Sequence, residues 1–89
     1  MITLITYELK QPDRDYSILY ETIKNAGVSW WHYLDSVWII NTTMELDQLS
    51  SLLRSNMDDN DTLFVVDITN SKHQGWLPSK AWEWFKSNK

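Results

Sequence analysis

The sequence predicts an α+β fold: a four-stranded antiparallel sheet in βαββαβ order, two helices on one face, and a short C-terminal helix. Three observations carry this expectation. Residues 30–42, WWHYLDSVWIINT, set aromatic and β-branched side chains on either side of the polar pair Asp35 and Ser36, the pattern of two strands joined by a tight turn. Residues 1–9 and 62–69 are short, apolar and rich in β-branched types, as strands are. Between each of them and the hairpin lies a stretch in which apolar residues recur at helical spacing.

In residues 1–9, Ile2, Leu4 and Thr6 alternate with Thr3, Ile5 and Tyr7, so both faces are largely apolar and a central place in the sheet is expected. Lys10, Gln11 and Pro12 end the strand, because Pro12 has no N–H for the ladder. Asp13 stands as N-cap of a first helix whose buried stripe is Tyr16, Leu19, Tyr20, Ile23 and Ala26, with Gly27 as its stop. Alternation in the hairpin puts Trp30, His32 and Leu34 on one side and Trp31 and Tyr33 on the other. On the returning strand Val37, Ile39 and Asn41 oppose Trp38, Ile40 and Thr42. Thr42 and Glu45 have the spacing of a capping box, which places a second helix at about residues 43–55 with the stripe Leu46, Leu49, Leu52 or Leu53, and Met57. Asp58, Asp59 and Asp61 read as a solvated turn. Leu63, Phe64, Val65, Val66 and Ile68 form the nearly continuous apolar run of a strand covered on both faces. Pro78 and Ser79 open a helical tail, about residues 78–88, in which Ala81, Trp82 and Phe85 pack while Lys80, Glu83 and Lys86 stay wet.

With 89 residues there is one domain and one chain-length core, residues 1–89. Right-handed crossovers and short connections turn the element order into the ferredoxin-like split βαβ arrangement, with the first and last strands expected in the middle. The second sheet face has only the tail for cover, so homodimerisation through an open face or edge is expected. Six Trp in so short a chain imply a dense core, a contact surface, or both. Cysteine is absent, which removes disulfides and thiolate metal sites. The net charge of −4 gives no general attraction for a phosphate backbone. Met1 leads straight into a strand pattern without a basic or apolar leader, and a cytoplasmic protein without a membrane partner is expected.

Two passages carry a resemblance. The first is the strand ending in Tyr7-Glu8, then Arg14 in the next turn and the hairpin residues Tyr33, Ser36, Val37 and Trp38; the second is Asp61-Thr62-Leu63-Phe64-Val65-Val66 after an amphipathic helix. Over about residues 2–68 they resemble the CRISPR-associated protein 2 family and its relative, the virulence-associated protein D family. Over nearly its full length the chain looks like short, SinR-family-labelled bacterial proteins that share the WWHYLDSVW core. The resemblance implies a ferredoxin-like homodimer, a link to defence or toxin-antitoxin systems, and a metal-assisted phosphodiesterase site where two first strands meet. The acidic residue closing the first strand in that pattern is usually Asp; here it is Glu8.

Two functional readings follow. In the first the protein is a non-enzymatic, homodimeric interaction module whose aromatic surface meets a protein partner. Trp30, Trp31, Trp38 and Trp84 are then the interface candidates, with Trp84 exposed because it lies two residues from an inward Trp82. The second is a Mg-dependent endoribonuclease or endonuclease. There Glu8, doubled by a two-fold axis, is the metal ligand that acidifies a bound water. His32 serves as general base, Tyr33 as hydrogen-bond donor, and Arg14 neutralises phosphate. Each residue also has an ordinary role: Glu8 as a solvated strand end, His32 as a half-buried ring bonded to a neighbour, Arg14 beside Asp13 and Asp15 among helix-capping charges, and the tryptophans as core. Trp30, Trp31 and Trp38 as a stacking platform for nucleic-acid bases lack interleaved cations, and an EF-hand loop is absent around Asp58–Asp61. The first reading needs no cofactor and is preferred.

Overall fold

Alternating apolar residues on β1 (Ile2–Glu8) make it the spine of the sheet, because both of its faces need cover. The computed structural model describes residues 1–88. After β1 come α1 (Ser17–Ala26), β2 (Ser29–Leu34), β3 (Val37–Asn41), α2 (Leu46–Arg54), β4 (Thr62–Asp67) and α3 (Ser79–Ser87). The strands form one antiparallel sheet in the order β2-β3-β1-β4, which is the ferredoxin-like α+β arrangement.

The expected middle pair is corrected: β1 and β3 are central, and the last strand lies at an edge. A crossover helix about 10 Å wide spans roughly two inter-strand spacings of about 4.8 Å, so each βαβ unit leaves a slot between its two parallel strands. The slot of β1-α1-β2 takes β3, and that of β3-α2-β4 takes β1. β4 is therefore not covered on both faces, and Phe64 is 63% exposed.

Ile5 sits opposite Trp38 on one side and Val65 on the other, and all three face α1 and α2. Leu19 and Ile23 of α1 and Leu49 and Leu53 of α2 close this first core, the register expected from helical spacing. Leu53 takes the place left open between it and Leu52, which is exposed. On the opposite face Ile2, Trp31 and Ile39 pack against Ala81 and Phe85 of α3. Asn88 fastens that helix end, its Oδ1 accepting bonds from Ser29 Oγ at 2.5 Å and Asn41 Nδ2 at 3.1 Å. Among the described residues no helix is long and apolar enough to cross a membrane.

Neither expected cap forms as the spacing suggests. α1 begins at Ser17, whose N–H bonds to Asp15 Oδ1 at 2.9 Å, so Asp15 and not Asp13 serves its first turn. Thr42 makes no capping box; its hydroxyl donates to Ala26 O at 2.7 Å and accepts from Met44 N–H at 3.1 Å, and α2 starts later, at Leu46. Gly27 is extended, and its need is proximity: a Cβ there would lie 2.9 Å from Asn41 O and 3.1 Å from Ile40 Cβ.

Alternation along β2 also fails at one place. Trp31 pairs with Ile39 but Leu34 pairs with Val37, so one extra β2 residue is accommodated in a bulge between them. The bulge moves Leu34 from the expected Trp30 and His32 side to the side of Trp31. His32 Nδ1 donates to Val37 O at 2.9 Å across that irregularity, which supports the bulged backbone.

Candidate functional site

The second sheet face carries a concave apolar feature. β1, β3 and β2 supply its floor with Leu4, Ile39 and Trp31, and α3 supplies one wall with Trp82 and Phe85. The segment after β4 folds back over it, with His73 stacked on Phe85 at 4.7 Å between ring centroids. The space is a groove of about 340 Å³ lined mainly by apolar side chains. At its rim Trp76 is fully exposed and Leu34 is 47% exposed. Such a groove can take an apolar side chain or an aromatic ring, with few polar groups to orient a reacting bond.

The residues expected at a nuclease site are spread over both faces. Glu8 ends β1 on an exposed surface beside Thr62 and Phe64, and its carboxylate lies 3.3 Å from Lys10 Nζ. Arg14 belongs to a different structure: its guanidinium donates to Asn56 O at 3.3 Å, lies 3.7 Å from Asp58 Oδ2 and rests over the Tyr16 ring. His32 is stacked on Trp38 with ring centroids 3.9 Å apart and planes 6° from parallel, beneath α1. Tyr33 lies against Trp31, toward the opposite face. Among the described residues no three His, Asp or Glu side chains converge as a metal donor set.

The tryptophans divide between roles. Trp31 and Trp38 are buried in the two separate cores, which also rules out a common stacking platform with Trp30. Trp30 is part-exposed, packs on Trp38 at 5.3 Å and carries Lys24 Nζ over its ring at 5.1 Å. Trp84 is half-buried edge-on to Phe85, with its indole N–H buried, and the fully exposed tryptophan is Trp76 instead. The error has a simple source: α3 packs over a wide arc because Phe85, Trp82 and Trp84 all meet one sheet face.

Two polar centres escaped sequence reading. Asp61 is not solvated but 6% exposed, accepting from Lys10 N–H at 2.7 Å, Tyr16 O–H at 2.7 Å and Asp58 N–H at 2.8 Å. Burial opposes its charge, yet the donated bonds from Lys10, Tyr16 and Asp58 and the nearby Arg14 together hold its carboxyl below the usual 3.8. Burial pushes the Tyr16 phenol above 10.0, and donating to a carboxylate adds to the effect. The second centre is Tyr7, whose oxygen accepts the Trp38 indole N–H at 2.9 Å below Tyr20. Burial raises its phenol above 10.0 although the Trp38 bond pulls the other way. The sequence held one signal for Asp61: it sits directly before an apolar strand, where a loop carboxylate can reach the preceding strand's end. Comparison with protein families returns no match, and comparison with curated proteins returns none either.

Proposed function

We propose that the protein is a homodimeric, non-enzymatic interaction module that meets a protein partner through the second face of its sheet. The observation that carries this reading is the exposed apolar surface of that face, where Trp76 and Leu34 line an apolar groove and Phe64 stands exposed on the edge strand β4. Monomeric proteins rarely leave so many large apolar side chains together without a contact to cover them. The side chains that a phosphodiesterase would use are engaged elsewhere, Glu8 with Lys10, Arg14 with the loop before β4, and His32 with Trp38 and Val37. A link to defence or toxin-antitoxin systems, implied by the resemblance to the CRISPR-associated protein 2 and virulence-associated protein D families, belongs to the same proposal, as does a cytoplasmic location.

The test is incubation with single- and double-stranded RNA and DNA, with and without Mg²⁺ or Mn²⁺, beside the Glu8→Ala variant. The module reading predicts no cleavage by either protein. Cleavage by the wild type that disappears in Glu8→Ala would replace it with the metal-dependent nuclease reading.

A further inference from the structure

The two edges of the sheet differ in how well they are protected. β2 is interrupted by its bulge, and Asn88 bonds to Ser29 at its start, so neither its line nor its end offers a regular ladder. β4 has no bulge in its register with β1, contains no Pro, Gly or Lys, and carries one charge, Asp67, at its end. Those are the devices by which natural edges avoid pairing.

The free backbone groups of β4 follow from its register. Ile68 N–H donates to Ile2 O at 2.8 Å, and hydrogen-bonded pairs alternate along an antiparallel ladder. Val66, Phe64 and Thr62, opposite Leu4, Thr6 and Glu8, therefore direct their N–H and C=O groups toward β1. Leu63, Val65 and Asp67 direct theirs to the open edge.

Resting on the homodimer reading, we propose that a second copy of this chain pairs with that edge, β4 against β4, antiparallel about a two-fold axis at Val65. An axis normal to the sheet keeps each face on its own side, which requires opposed residues to share a face. Centring on Val65 meets that condition and opposes Leu63 with Asp67 of the second copy. Those pairs use every outward backbone group, giving about six hydrogen bonds at two per pair. Phe64 then faces Val66 of the second copy, an aromatic to β-branched pair that covers its exposed ring. No charge opposes a like charge in this register, despite the net charge of −4. The result is one continuous sheet with α1 and α2 of both copies on one side and both grooves on the other.

Light scattering on wild type, Phe64→Lys and Val65→Pro, with circular dichroism as a check of folding, tests the arrangement. Val65→Pro removes an outward N–H and leaves the bonds to β1 in place, and Phe64→Lys changes an exposed side chain. The expected result is a dimeric wild type and two folded monomeric variants. Val65→Cys, in a chain otherwise without cysteine, is expected to form a covalent dimer on mild oxidation, while Ile18→Cys on α1 gives no covalent dimer. A wild-type dimer that survives both substitutions, with Val65→Cys failing to cross-link, overturns edge pairing and leaves the homodimer reading standing. A monomeric wild type removes both.

Discussion

Asp61 shows what one carboxylate does when three segments converge on it. Its oxygens take the Lys10 N–H after β1, the Tyr16 hydroxyl before α1 and the Asp58 N–H in its own loop. An amide cannot replace it, since one of its two ends donates where the site supplies donors. Asp61→Asn is expected to cost about 2 kcal/mol, read as a lowered urea midpoint at pH 7. The pH dependence has a definite sign. The folded pKa lies below the usual 3.8, so the Asp61 contribution is present above that value and fades as pH falls through the folded one. The Tyr16 phenol is raised above 10.0, so its share is present below that pH and is lost as pH rises past it. Thermal melts of wild type should therefore decline in acid, and those of Asp61→Asn should decline less steeply over the same range. Little of this was legible in the sequence beyond the place of Asp61 directly before an apolar strand, because an Asp in a run of three Asp looks solvated until Lys10 and Tyr16, 51 and 45 positions away in the chain, are brought beside it.

At the scale of the element, the strands and helices were readable because their apolar periodicity survives folding unchanged. Leu19 and Ile23, and Leu49 and Leu53, are buried as i, i+4 pairs on helices drawn from that spacing alone. The ends were less readable, since Thr42 spends its hydroxyl on Ala26 and Met44 instead of on a cap. The bulge in β2 was invisible for a related reason: one extra residue changes no composition and only the partner strand shows it. Two element-scale outcomes follow. Gly27→Ala should destabilise by about 1–3 kcal/mol in denaturant titration, because its Cβ would meet backbone on β3 that cannot yield as a side chain can. Phe85→Ala should cost about 3–5 kcal/mol and loosen α3, seen as faster hydrogen exchange in residues 79–87 and a shifted tryptophan emission.

For the whole molecule, the class of fold followed from the order of elements, but the order of strands in the sheet did not. Apolar character alone made β4 look central, whereas the width of the crossover helices gives the inner places to β1 and β3. That difference matters for function, because it leaves an unguarded strand at the boundary and an apolar groove on the face beside it. The expected acid site came from a family resemblance and not from any spacing of residues, and within one chain folding places Glu8, Arg14, His32 and Tyr33 in separate surroundings. The measurement that bears most directly on the account is the solution mass of the purified chain over a hundredfold dilution by light scattering. The account predicts twice the chain mass of 10.6 kDa at high concentration. A mass that stays at 10.6 kDa throughout would contradict it.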